Sequence, residues 1–193
     1  AGSTGTFVGE VVRFSGDLSG TTSDIEIRAG GRNQPSGITE FGSNVNVGSL
    51  QAFGSRIEIA GTVTLNDASG ENFIANQVIL TGDVEVTTEG NLTFLSSIDS
   101  NATARSLQVT ANGSSEVVFG GDIGGDSLGS TSGDVGLTSF TTLGTGTVTF
   151  AKSGAAIGIN NNEAAYVNYV AGEGLNSGAT WSSLTGIVTN GDF

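Results

Sequence analysis

The side chains with the most evident chemical use are aspartates that follow glycine. Asp17, Asp83 and Asp122 stand in three related segments, Phe14-Ser15-Gly16-Asp17-Leu18, Leu80-Thr81-Gly82-Asp83-Val84 and Phe119-Gly120-Gly121-Asp122-Ile123. Carboxylates repeated at equivalent corners of a layered fold could form a rail for Ca²⁺. Calcium takes about six to eight oxygens, so one aspartate per corner suffices only where adjacent layers cooperate. Aspartate after glycine is also an ordinary turn residue, and that is the simpler account of all three.

The run Gly120-Gly121-Asp122-Ile123-Gly124-Gly125-Asp126-Ser127-Leu128 is similar to a calcium-binding glycine-rich nonapeptide repeat, present here as one imperfect copy. If a metal binds, Asp122 and Asp126 are its candidate ligands; no other cofactor is indicated. Catalysis has little to work with. Histidine and cysteine are absent, Lys152 is the only lysine, and the arginines at 13, 28, 32, 56 and 105 are scattered. That leaves carboxylate chemistry of the glycosidase or lyase kind, which needs clustered groups in one groove. The sequence therefore reads as non-enzymatic.

Three further sets of residues are candidates for contact. Trp181, Tyr166 and Tyr169 are the only tryptophan and tyrosines, all near one end, and could stack on sugar rings, meet a neighbouring subunit, or fill a buried cap. Threonines at 138, 141 and 142, or at 145, 147 and 149, could present a hydroxyl array of the ice-binding kind, although threonine is also common on solvent-facing strands. Acceptor sequons begin at Asn91, Asn101 and Asn112.

The elements that must carry these residues are short strands. Period-two alternation recurs in Ile25-Glu26-Ile27, Val45-Asn46-Val47, Ile57-Glu58-Ile59, Val63-Thr64-Leu65, Val84-Glu85-Val86, Leu92-Thr93-Phe94, Leu107-Gln108-Val109 and Val148-Thr149-Phe150. Each run places apolar side chains on one face and polar ones on the other. With 32 glycines spread through 193 residues, a helical period has almost no room. Corners of the form apolar, small, Gly, Asp or Thr, apolar punctuate the strands, and a positive φ at glycine would let each strand bend into the next. Gly16, Gly61, Gly82 and Gly121 lie 45, 21 and 39 residues apart, near multiples of a unit of about twenty.

Such a unit matches one rung of a solenoid. The expected fold is an all-β right-handed parallel β-helix over residues 1–150. An irregular C-terminal piece over 151–193 is expected to serve as a cap or subunit contact. The alternative is an antiparallel β-sandwich whose hairpins also turn on glycine.

Charge and composition narrow the partners. With 19 acidic and 6 basic residues the formal net charge is −13, which disfavours nucleic acid and anionic lipid. No window approaches the apolar length of a membrane helix, so membrane insertion is not expected. The start, Ala1-Gly2-Ser3-Thr4-Gly5, reads as a processed or excised segment. Open strand edges at a solenoid end would favour a homo-oligomer or filament, and Thr6–Phe14 is the candidate donated strand, or else the ordinary first strand of the fold.

The stretches Gln77-Val78-Ile79-Leu80-Thr81-Gly82-Asp83-Val84-Glu85-Val86, Ser106-Leu107-Gln108-Val109-Thr110-Ala111-Asn112-Gly113 and Val117–Gly125, within a segment from Phe41 to about Phe150, carry a resemblance. They resemble the repeats of filamentous-haemagglutinin-like and autotransporter-type bacterial surface proteins. That resemblance implies a parallel β-helix, an extracellular or cell-surface location, and an adhesive or scaffolding role; a glycan or host-surface receptor is the candidate partner. It transfers no catalytic residue. The rival expectation is a glycan-binding module of a secreted protein.

Overall fold

The structure, a computed structural model, describes residues 4–30, 36–74, 76–121, 123–124 and 137–150. The described residues form strands and no helix, as the alternation predicts. In chain order these are β1 (Thr4–Gly9), β2 (Val11–Phe14), β3 (Leu18–Ala29), β4 (Ile38–Phe41), β5 (Val45–Phe53), β6 (Arg56–Ile59), β7 (Val63–Leu65) and β8 (Glu71–Ile74). They continue as β9 (Gln77–Leu80), β10 (Val84–Thr88), β11 (Asn91–Phe94), β12 (Ile98–Ser100), β13 (Ser106–Ala111), β14 (Glu116–Phe119), β15 (Ser139–Gly144) and β16 (Thr147–Phe150). All eight alternating runs noted above fall inside strands.

The pairing makes the fold a parallel β-helix. One sheet runs β12-β9-β6-β4-β2, and an 11-stranded sheet runs β15-β13-β10-β7-β5-β8-β11-β14-β16 with β3 and β1 joined at β5. The ladders are parallel throughout, between segments one rung apart. This excludes the antiparallel sandwich, because a hairpin can only produce antiparallel neighbours.

The larger sheet is two faces of the helix. The start of β5 pairs with β7 through Val45↔Val63, whereas its end pairs with β8 through Gln51↔Phe73. Where β5 runs continuously, the next rung is interrupted by the Asn66 to Gly70 bend, and later rungs keep the break. Each rung thus passes from a first face (β2, β4, β6, β9, β12) to a second (β7, β10, β13, β15) and a third (β8, β11, β14, β16).

In-register stacking builds the core from like residues. On the first face Val12, Thr39, Ile57, Val78 and Ile98 form one column, extended by a bridge to Ile123. On the second, Val45, Val63, Val86 and Val109 stack directly. Phenylalanines add ring contacts between rungs. Phe94 and Phe119 stack with centroids 5.2 Å apart, and Phe140 meets Phe119 edge-on at 5.4 Å. Each rung covers the apolar side of its neighbour, so the core needs no disulfide.

Corner glycines act differently from the expected positive φ. Positive φ at glycine occurs at Gly30, Gly113, Gly124 and Gly144, none of them the predicted corners. Instead the corners after the first rung need close approach: a Cβ on Gly82 would lie 2.2 Å from the Ala60 carbonyl oxygen, in the preceding rung. The four corners are also not equivalent. Gly16, Gly61 and Gly82 follow first-face strands, but Gly121 lies between β14 and the first-face bridge at Ile123. Nor is the rung length constant. First-face partners Val11↔Ile38, Ile38↔Arg56 and Arg56↔Gln77 step by 27, 18 and 21 residues.

Candidate interaction surfaces

Where a first-face strand turns into the second face, polar side chains act as stand-ins for backbone. Asp17 Oδ1 accepts the Asn44 N–H at 3.1 Å, Asn44 Oδ1 accepts the Thr62 N–H at 3.1 Å, and Asp83 Oδ1 accepts the Ser106 N–H at 2.9 Å. The Ser43 hydroxyl also donates to Asp17. These bonds favour the ionised form and hold both carboxyls below their ordinary range. The Ser43 hydroxyl contributes most at Asp17, and the Ser106 N–H most at Asp83. The column places Asn44 and Thr62 between the two aspartates, so they do not converge on one point. Among the described residues no three acidic side chains come together as a metal site.

The same direction of bonding recurs elsewhere. Glu71 accepts from Asn91 Nδ2 at 3.0 Å, Glu89 from Asn112 Nδ2 at 2.8 Å, and Glu116 from the Thr149 hydroxyl at 2.8 Å. In each pair the carboxylate belongs to one rung and its donor to the next. A good part of the acidic surface is therefore structural.

On the second face the corner column of Thr62, Asp83 and Ser106 borders a groove of about 360 Å³ that crosses several rungs. Its walls include Asp83, Glu85, Ser106, Gln108, Ser139 and Thr141. The pairing aligns Glu85, Gln108 and Thr141 in one outward column and Thr64, Thr87 and Thr110 in the next. The arrangement offers acceptors, an amide and hydroxyls, with no cationic side chain among the lining residues. It suits a polyhydroxylated neutral ligand better than an anion.

The N-terminal end is a second surface. Among the described residues β1 and β2 are the outermost strands of their sheets, each paired on one side only. Residues 6–14 pair within the chain as the first layer of its own helix, β1 with β3 and β2 with β4. Val8 and Val11 are each 53% exposed and stand in outward columns, Val8 with Arg28 and Phe53 and Val11 with Ile38, Arg56 and Gln77, whose later members are half-buried. Val12, Phe14, Leu18 and Ile25 are only partly buried against the core. Gly16 has nothing within 4 Å of where its Cβ would be, although Gly82, the equivalent corner residue, presses on the rung before it. Arg13, beside this edge, is paired to Glu40 of the next rung through two hydrogen bonds, one of them 2.9 Å.

Other candidates from the sequence fare as follows. Asp122 and Asp126, and Tyr166, Tyr169 and Trp181, lie outside the described residues, as does the segment 151–193. Thr141 and Thr142 are on β15 and Thr147 and Thr149 on β16. Their outward neighbours on the preceding rung are Gln108 for Thr141 and Val118 for Thr149, so no threonine array extends from them. The regular threonine column, at 64, 87 and 110, escapes a sequence reading because its steps of 23 residues differ from the expected unit. Asn91 begins β11, Asn101 caps a bend through its bond to the Thr103 N–H, and Asn112 enters a tight turn. No family model matches the chain, and neither a curated protein nor a solved structure matches it.

Proposed function

We propose that this chain is a non-catalytic extracellular structural protein of the adhesin-like kind, which works through its extended surface and assembles by end-to-end stacking into a fibre or matrix. The observation that carries this reading is the first rung. Among the described residues it leaves β1 and β2 each paired on one side only, the core-facing Val12, Phe14 and Leu18 only partly buried, and open space above Gly16 where the equivalent Gly61 and Gly82 press on the rung before them. Edges of this kind pair with further strands unless something blocks them. An extracellular location draws on the lack of cysteine, the acidic surface, and the resemblance of residues 41–150 to filamentous-haemagglutinin-like and autotransporter-type repeats.

The test is negative-stain electron microscopy and analytical ultracentrifugation of the full chain at rising concentration. Concentration-dependent fibres or linear oligomers are expected. A chain that stays monodisperse at millimolar concentration overturns the assembly.

A second reading, a glycan-binding module, draws on the groove with Glu85 and Gln108. Neutral hexasaccharides titrated against the chain should then shift the backbone resonances of β10 and β13, and Gln108→Ala should abolish those shifts. Resonances that stay put at saturating sugar remove this reading.

A further inference from the structure

The turn from β13 to β14 holds the one Asn–Gly pair among the described residues, Asn112 and Gly113. Ser115 closes the turn by donating its N–H to the Asn112 carbonyl at 3.1 Å, and Asn112 donates its own N–H to Thr88 in the preceding rung at 3.0 Å. Gly113 has φ +59° and no atom within 4 Å of where its Cβ would be. Among the described residues its N–H has no acceptor. The asparagine side chain is committed to the stack, since Nδ2 donates to Glu89 Oε1 at 2.8 Å.

We propose that Asn112 is a site of spontaneous, backbone-assisted deamidation, and that its product sets a carboxylate against Glu89 across the step between two rungs. The Gly113 amide gives its proton to hydroxide, and its nitrogen forms a bond to Asn112 Cγ. The Cγ–Nδ2 bond breaks, Nδ2 leaves as ammonia, and a succinimide ring closes. Water then adds to either ring carbonyl, and the ring opens to aspartate or isoaspartate with no change of oxidation state.

Three features direct the reaction to this residue. The nucleophile is not held in a ladder, as a strand amide would be. Glycine brings no side chain to crowd its approach, whereas every other described asparagine precedes a residue with a side chain. The site is also open to solvent, with Gly113 and Ser114 exposed. The product loses the Nδ2 donor and faces Glu89 with like charge, which is unfavourable between directly neighbouring strands. Isoaspartate also lengthens the turn backbone by a methylene. The modification is thus a slow, irreversible loosening of one rung step, driven by time and alkalinity.

The experiment incubates the full chain in mildly alkaline buffer, with the same chain unfolded in guanidinium chloride as a chemical clock. Peptide mapping with isoaspartate detection follows; it also separates Asn112 from Asn190, whose Asn–Gly pair lies outside the described residues. Conversion at Asn112 should accumulate in the folded chain, exceed that at every other described asparagine, and disappear in Asn112→Gln. Asn112→Asp, made directly, should melt about 2–4 °C lower at neutral pH, and that loss should shrink in a Glu89→Gln background. An Asn112 still intact in the folded chain when the unfolded clock has run to completion overturns the modification. An unchanged melting temperature in Asn112→Asp overturns its consequence.

Discussion

The side-chain oxygen of Asn72 lies 2.7 Å from the backbone nitrogen of Leu50, inside the core and between two rungs. Its amide nitrogen reaches the other way, to the Asn91 carbonyl at 2.8 Å. Asn72 stacks directly on Leu92 in an otherwise apolar inward column and is 1% exposed. It stands just after the bend at which the continuous strand β5 gives way to two strands, β7 and β8. There the side chain bonds backbone groups of both neighbouring rungs.

Replacing Asn72 with leucine should therefore destabilise the protein, although leucine is the more apolar residue and branches at the same carbon. The Leu50 N–H and the Asn91 carbonyl would each lose a buried partner, at about 1–3 kcal/mol per group. Denaturant unfolding checks it: a lowered midpoint with unchanged slope supports the bridging role, and a midpoint equal to or above the parent's refutes it.

Phe119 ties three rungs together, stacking on Phe94 and receiving the edge of Phe140. It is 1% exposed. Phe119→Ala should cost about 3–5 kcal/mol, and Phe119→Leu much less, since leucine keeps most of the volume. Thermal melts of the two variants should separate clearly; equal losses would mean that the aromatic column is not a principal support.

Acid should loosen the stack. Asp17, Glu40, Asp67 and Asp83 all have carboxyls held below their ordinary range, Glu40 chiefly by the Arg13 guanidinium and Asp67 chiefly by the Ser69 hydroxyl. A depressed folded value means that the folded state binds protons less readily than the unfolded one. The stabilisation is thus complete above the ordinary carboxylate range and lost as pH falls through the lowered values. The melting temperature should fall on the acid side, and fall less steeply in Asp17→Asn/Asp83→Asn. An acid limb of the same steepness in that variant would show that the corner carboxylates are not responsible.

Much of this architecture is legible in the residues, and what is hidden has a physical reason. Alternation exposes the strands, because one side of each must be oily for the next layer to cover it. Ile57-Glu58-Ile59 and Leu107-Gln108-Val109 need no partner to be recognised as strands. Register is different, since it depends on how many residues each bend absorbs. From β7 to β10 the pairing is Val63↔Val86, a step of 23, while the corner glycines Gly61 and Gly82 imply 21. The two extra residues, Val84 and Glu85, lie in β10 itself, ahead of its pairing with β7, where an alternating sequence gives no sign of the offset. The same slack conceals the threonine column at 64, 87 and 110. It also makes Gly121 look equivalent to Gly82 when the two lie at different corners. Asn72 is invisible for another reason: its role follows from the continuity of β5 above it.

Gly82 and Gly16 occupy the same corner in different rungs, and their contrast tests the assembly directly. A methyl group at Gly82 would sit 2.2 Å from the Ala60 carbonyl, so Gly82→Ala must push two rungs apart, at about 1–3 kcal/mol. At Gly16 the same methyl meets open space, so Gly16→Ala should leave the monomer's stability within about 0.5 kcal/mol of the parent. If a second copy stacks on the first rung as later rungs stack on one another, that methyl would project into the new contact. Gly16→Ala should then weaken association measured by sedimentation while the melting temperature of the dilute monomer stays constant. Fibres that form equally well from Gly16→Ala would move the contact away from this end, even if assembly itself stood.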